Sequence, residues 1–474
     1  MSFDLIIKNG TVATAVDTYK ADLGIKDGII TAVCWNLEAE SAEVIDANRG
    51  YIIPGGIDPH THFSMPFRDI AITSDDFETG TRAAAFGGTT CIIDCARQER
   101  GKSFLDSLDA LHKKAEGNAC IDYGFHVSIV DLENGKSEEI SRLVEEGVSS
   151  FELSKNTPGG QHLNDGAYFQ AMRQAADNGC VVCTPVENGY ITDELHNLAV
   201  KNQKLEPKWH AICRAESMEA GAVHRAITIS ELAGAPVYIV HLSCAEALAE
   251  VTRARNKGLD VFAETCPQYL FLDNSCFEQG AGWASKFVMS PPLREKRHQE
   301  KLWKGLQVGN ISVVGSNHTA FNYRDVKEKS CNDFTKIPEG VPSVENRMSL
   351  LYSGGVAGRK ITLNRFVDIT STAASKIFGL FPRKGTIAVG SDADIVIFNP
   401  TRREKISVSN PATHHMNVDY NAFEEIEVMG MPEIVISRGK VIVKGNNFLG
   451  QKGDGKFVRR GRYSGVKCNK YLPF

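Results

Sequence analysis

Two histidines one residue apart, His60 and His62 in PGGIDPHTHF, carry the clearest chemical signal in this 474-residue chain. Neutral imidazole is the commonest protein ligand for divalent transition metals. Residues i and i+2 of a strand face the same way. The apolar run that leads into the pair reads as such a strand, so both rings project to one side and supply half of a metal site. Cys180 and Cys183 in CVVC form a weaker pattern. No second cysteine pair matches them, so they read as buried thiols of an apolar strand rather than a zinc knuckle.

The elements that must position the histidines follow from the pattern on either side. Residues 1–50 alternate apolar and polar positions, and the steps Lys8-Asn9-Gly10 and Lys26-Asp27-Gly28 mark hairpins, so a small β-structure opens the chain. From Ile52 onward, eight short apolar runs recur: IIPGGIDPHTH, TTCIIDCA, DYGFHVSI, SSFEL, CVVCTPV, PVYIVHL, LDVFAET and ISVVGSNH. Amphipathic stretches such as AEALAEVTRARNKG separate them, which fits a parallel (β/α)8 barrel better than a sandwich. In such a barrel the C-terminal ends of the strands build the active site, and His60 and His62 stand at the first of them. After Arg383 the β-rich pattern returns in KGTIAVGSDADIVIFNP and EIVISRGKVIVKG. The expected organisation is α/β: a barrel over 51–383, a small β-sandwich built from both termini (1–50 and 384–445), and an arm over 446–474. The glycine-rich, basic sequence GQKGDGKFVRRGRYSG marks that arm as exposed, either a solvated terminus or an arm that packs on a neighbouring subunit.

Composition narrows the classes. Charged residues make up 23% and hydrophobic ones 42%, and no apolar run approaches the roughly 18 residues of a membrane span. The net charge of -5 is spread without a basic block, which argues against nucleic acid or a membrane surface as partner. Twelve cysteines in mostly apolar contexts and a first segment that starts as a strand fit a cytoplasmic protein.

The frame of the histidine pair, together with AETCPQYL (263–270), MSPPLR (289–294), GVPSVENRM (340–348) and KGTIAVGSDADIVIF (384–398), resembles the hydantoinase and dihydropyrimidinase branch of the amidohydrolase superfamily. The resemblance covers nearly the whole chain. It implies a barrel with a terminal β-sandwich, commonly assembled as a homotetramer. It further implies a hydrolase that opens a cyclic amide, imide or ureide with hydroxide held between two metal ions, usually zinc. The ligands it implies are the histidine pair, a carbamylated lysine, histidines on the fifth and sixth strands, and an aspartate on the eighth.

Carried over position by position, that set is only partly present. His60 and His62 match, and His241 in YIVHLS matches the sixth-strand histidine. The lysine falls on Glu152 in SFEL, the fifth-strand histidine on Pro185 in TPVENG, and the aspartate on Asn317 in GSNHTAF, whose neighbour His318 is kept. A tyrosine that polarises the scissile carbonyl falls on Thr157. Of the ring-binding positions, Ser290 is kept and an asparagine becomes Glu339.

Glutamate is shorter than a carbamylated lysine and cannot bridge two ions, yet its carboxylate is a ligand that zinc accepts beside imidazole. The expectation is therefore one divalent cation, zinc by family habit, on His60, His62, Glu152 and His241. Asn317 cannot ionise, so it can orient a group but not accept a proton. Glu152, Glu187 and His318 are the candidates to replace that base, with Glu152, Asn317 and His318 assigned to catalysis and Ser290, Thr157 and Glu339 to substrate binding. The alternative is a non-hydrolytic dihydropyrimidinase-related protein that keeps the fold for binding or assembly.

Overall fold

In the computed structural model, which describes residues 2–132, 137–153, 163–185 and 187–465, the first fifty residues contribute to two sheets rather than one. A four-stranded sheet runs in the order Ile29–Cys34, Asp22–Lys26, Phe3–Lys8, Ser41–Asp46. The Lys-Asp-Gly step makes the hairpin that its sequence implies, with Asp27 at φ 51° and Gly28 at φ 76°, the left-handed pair of a tight turn. The Lys-Asn-Gly step does not. Asn9, at φ 61°, instead carries the chain out of this sheet and into a seven-stranded one, where Thr11–Ala13 pairs in parallel with Tyr51–Pro54.

The seven-stranded sheet joins the two ends of the chain. Ile395–Lys405 pairs antiparallel with Tyr51–Pro54 on one side and with Glu427–Ser437 on the other. Leu5, Ile7, Ile30, Ile52, Ile395 and Ile436 fill the space between the sheets as an apolar core of their own. This sandwich core is separate from the larger one beneath the helices.

Eight parallel strands form a further sheet: β1 (Gly56–Thr61), β2 (Thr89–Arg97), β3 (Asp122–Ile129), β4 (Ser150–Leu153), β5 (Val181–Thr184), β6 (Val237–Ile239), β7 (Val261–Thr265) and β8 (Val313–Val314). They neighbour one another in chain order, and helices cover the outer face. Strands covered on both faces read as continuous apolar runs, and β3 is buried at every residue, β2 at every residue but Arg97. The run IIPGGIDPHTH therefore serves two sheets, 51–54 in the sandwich and 56–61 in the barrel. Local signals set the helices: Asp76 and Thr79 form a capping box on Phe77–Phe86.

The backbone of the basic segment near the C-terminus lies against the barrel, while Lys452, Lys456, Arg459 and Arg462 stay exposed. Lys456 and Val458 bracket Tyr123 through backbone hydrogen bonds, and Arg460, Gly461 and Tyr463 bond to Gly147, Gly379 and Gly179. Arg460 is buried inside the barrel, where it donates to Ser150 Oγ at 2.8 Å and to the Phe125 carbonyl. At the start of β3, Lys384 pairs with Asp122 at 2.8 Å and Asp392 at 3.0 Å, and also with Asp394. That network ties the barrel to the returning sandwich chain.

Candidate active site

The barrel closes at the histidine pair. After β8 the chain runs through Ser316 to His318 alongside the end of β1: Thr61 pairs with His318, and the His62 N–H donates to the His318 carbonyl at 3.0 Å. Asp58 reinforces the seam by accepting from the Ser316 N–H at 3.0 Å. Asp94, at the end of β2, accepts from Thr61 Oγ1 at 2.9 Å, the Phe63 N–H at 2.9 Å and the Cys95 N–H at 2.7 Å. These bonds fix the turn that follows the pair. Burial pushes the Asp94 carboxyl up to about 7 in spite of them.

His60 Nδ1 donates to Glu264 Oε1 at 2.7 Å, with both side chains buried. Glu264, the last glutamate of β7, also accepts from the His241 N–H at 3.2 Å and from the Tyr238 hydroxyl at 2.8 Å. Its carboxylate lies against Gly315, where an added Cβ would come within 2.5 Å of Oε2, so the residue beside it must lack a side chain. Burial is the strongest influence on His60 and acts to lower its pKa. The charges of Glu264, Glu152 and Asp58 outweigh it and leave the imidazole raised. His62 and His241 go the other way. Burial first, then the neighbouring His60, holds both well below the ordinary imidazole range, so each is neutral and keeps a lone pair on one ring nitrogen.

A cavity of about 340 Å³ opens above these groups at the C-terminal ends of the strands. His60, His62, Glu152, His241 and Asn317 all stand on its wall, brought from β1, β4, β6 and β8. His241 and Asn317 sit at φ 41° and 49°. Such left-handed backbone in non-glycine residues is concentrated at functional sites. Pro185 is also on the wall, and Thr157 lies outside the described residues.

Of the expected site residues, His318 stands apart from the cavity, whereas Ser290 and Glu339 line it. His318 is completely buried and is not on the cavity wall. Its Nε2 meets Asp75 at 3.0 Å and its Nδ1 accepts from the Ser343 and Val344 N–H groups. With both nitrogens engaged it holds the barrel seam together. Ser290 and Glu339 do line the cavity, but they are bonded to each other: the serine hydroxyl donates to Glu339 Oε2.

Glu339 belongs to a buried ionic cluster that the sequence reading missed. Arg214 lies 3.1 Å from Glu339 and 3.3 Å from Glu187, and donates to His210 Nδ1 at 2.9 Å. The two carboxylates divide one cation unequally. Glu339 is held down to about 2: burial acts to raise it, but Arg214, His210 and Ser290 prevail. Glu187, raised first by burial and further by the Glu339 charge, is pushed up to about 7. Glu264 was missed as well, though its position at the end of the apolar run LDVFAET was a signal that could have found it.

The donor set suits one divalent cation. Among the described residues His241 Nδ1 is buried with no hydrogen-bond partner and His60 is bonded through Nδ1 to Glu264, and with His62 and Glu152 they make an N/O set of the kind zinc takes. Pro185 and Asn317, on the same wall, supply neither imidazole nor carboxylate. The four groups are not drawn tightly together. Among the described residues, Asp122, Asp392 and Asp394 are the one trio with ligand atoms all within 4.8 Å of one another, and Arg383, Lys384 and Arg438 already pair with it.

A parallel barrel with imidazoles from β1 and β6 and a carboxylate from β4 converging on one cavity defines the class of barrel proteins built for hydrolysis at strand ends. The Amidohydrolase family model matches residues 51–442. The chain is 46% identical over 466 residues to a D-hydantoinase of Geobacillus stearothermophilus, covering 98% of each chain. It is 45% identical to a D-hydantoinase of Streptomyces coelicolor over 97% of this chain and 98% of that one. Among solved structures, the D-hydantoinase of a Bacillus sp. superposes with a TM-score of 0.95 at 46% identity, covering 97% of this chain and all of the other. The dihydropyrimidinase of Brevibacillus agri does so with the same TM-score and identity, covering 97% and 99%. The chain belongs to the amidohydrolase family.

Proposed function

We propose that this protein hydrolyses a ring C–N bond of a cyclic amide, imide or ureide at an altered centre that holds one divalent cation. The observation that carries the reading is the convergence of His60, His62, Glu152 and His241 on one cavity in a chain so similar to hydantoinases. A divalent ion held there, zinc in the simplest case, supplies Lewis-acid polarisation of the carbonyl. Glu264 fixes the tautomer and direction of His60. Asn317 orients a polar group at the wall but takes no proton. Glu187, also on the wall and with a pKa of about 7, can both hold and release a proton near neutrality, and takes over the acid–base work that Asn317 cannot do. The finer expectations of a homotetramer, a cytoplasmic location and a sandwich over 1–50 and 384–445 flanking a barrel over 51–383 belong to the same proposal. Among the described residues no helix is long and apolar enough to cross a membrane.

The test is metal content combined with turnover. Up to one ion per chain, lost in His60→Ala, with slow ring opening of hydantoin, dihydrouracil or a cyclic imide, is the expected result. A metal-free protein that stays folded and inert toward all three would instead assign the fold to binding or assembly.

A further inference from the structure

The cavity is polarised from one side to the other. At the end of β2, Arg97 is the single exposed residue of an otherwise buried strand, and it stands on the cavity wall. Strand register places it beside Ser128, and Ser128 beside Glu152, so the cation and the carboxylate stand at one level two strands apart, about 10 Å between backbones. Among the described residues no carboxylate pairs with Arg97. The other guanidinium groups nearby are committed: Arg214 to Glu339 and Glu187, and Arg68 to the Thr335 carbonyl at 3.1 Å and the face of Phe67.

The strand end that carries Arg97 is also held in place. Gln98, next along the chain, accepts from the Val130 N–H at 2.8 Å and the Asp131 N–H at 3.2 Å, and donates to the Lys102 carbonyl at 3.0 Å. A cation presented in this way, on the wall of the cavity, is a recognition element for an anion. Elsewhere on the wall, Glu152 and Glu187 carry carboxylate oxygens that can accept from N–H donors.

Building on the ring-hydrolase reading, we propose that the substrate class is a cyclic amide or ureide that carries an ionised carboxylate, with Arg97 pairing to that carboxylate and the ring N–H groups directed toward the glutamate side. A cavity of about 340 Å³ is at the small end of the usual range of about 300–1,000 Å³, which suits one small ring with a short acidic arm.

Hydantoin-5-acetic acid and its neutral acetamide separate the possibilities when their binding to the purified protein is measured by calorimetry, alongside N-carbamoylglycine, the ring-opened form of unsubstituted hydantoin. The acid should bind about tenfold or more tightly than the amide, as a charge-assisted hydrogen bond implies. Arg97→Gln, with its fold checked by thermal melting, should bring the acid-to-amide ratio close to one, and Arg97→Lys should restore part of it. Equal binding of acid and amide by the parent protein, or a preference that survives Arg97→Gln, overturns the assignment while leaving the ring-hydrolase reading intact. Binding of N-carbamoylglycine as tight as that of the acid, with the same dependence on Arg97, assigns the guanidinium to a departing product and overturns the substrate claim. Failure of every ring compound to bind removes the ring-hydrolase reading, and this inference with it.

Discussion

His60 and Glu264 meet through a 2.7 Å hydrogen bond across the inside of the barrel, although 204 residues separate them in the chain. The bond leaves one imidazole nitrogen of His60 for the cavity, and Glu264 reaches Tyr238 and the His241 backbone as well. Glu264→Gln should therefore lower the affinity for zinc by about 10–100-fold, the usual effect of removing a carboxylate behind a metal-binding histidine. Competition with a chelator measures this. An unchanged affinity would mean that His60 is not a ligand.

The three altered ligand positions can be reversed together. Glu152→Lys with Pro185→His and Asn317→Asp restores a longer bridging side chain, an imidazole and an ionisable carboxylate at positions of which all three line the cavity. Ring opening should rise by at least the 10²- to 10⁴-fold that general acid–base help is typically worth, about 10² at the low end. A triple variant that folds, binds two ions and gains no turnover would show that the pocket no longer accepts a ring.

Acidification should expose the Glu339–Arg214 pair. The carboxyl of Glu339 is depressed from an ordinary 4.5 to about 2, so its contribution to stability is fully present above about pH 4.5 and is lost as the pH falls through about 2. Arg214, His210, Ser290 and Arg68 all act in that direction. Glu187, raised to about 7 by burial, has the opposite sign: its ionisation costs stability as the pH rises from about 4.5 through 7. In urea titrations across pH, Glu339→Gln should flatten the acid limb by up to about 3 kcal/mol between pH 4.5 and 2. An unaltered acid limb would place Glu339 outside the ionic cluster.

Arg460 tests the seating of the C-terminal segment. Arg460→Met removes a charged donor from Ser150 Oγ and from the Phe125 carbonyl while keeping much of the side-chain volume. Each such bond is worth about 1.5–3 kcal/mol, so a loss of about 2–4 kcal/mol is expected in urea unfolding. A loss below about 0.5 kcal/mol, the level of ordinary surface changes, would return the segment to the role of an exposed arm.

The sequence alone carried the elements whose signals are local. Eight apolar runs specified a parallel barrel, because a strand covered on both faces has no polar side to alternate. The spacing of His60 and His62 set their common direction, and the replaced positions Glu152, Pro185 and Asn317 could be read directly. What tertiary structure decided were the long-range meetings. Asn9 passes the chain between sheets where its turn signal implied a hairpin, and Arg460 is buried in the barrel while its neighbours Arg459 and Arg462 stay exposed. His318 is consumed by Asp75, Ser343 and Val344, and Glu339 by Arg214 and Ser290. Periodicity and turn chemistry act over a few residues. Partners brought together only when the barrel closes leave no mark in the residues next to them, so the engagement of a buried polar side chain is settled by packing rather than by its neighbours in sequence.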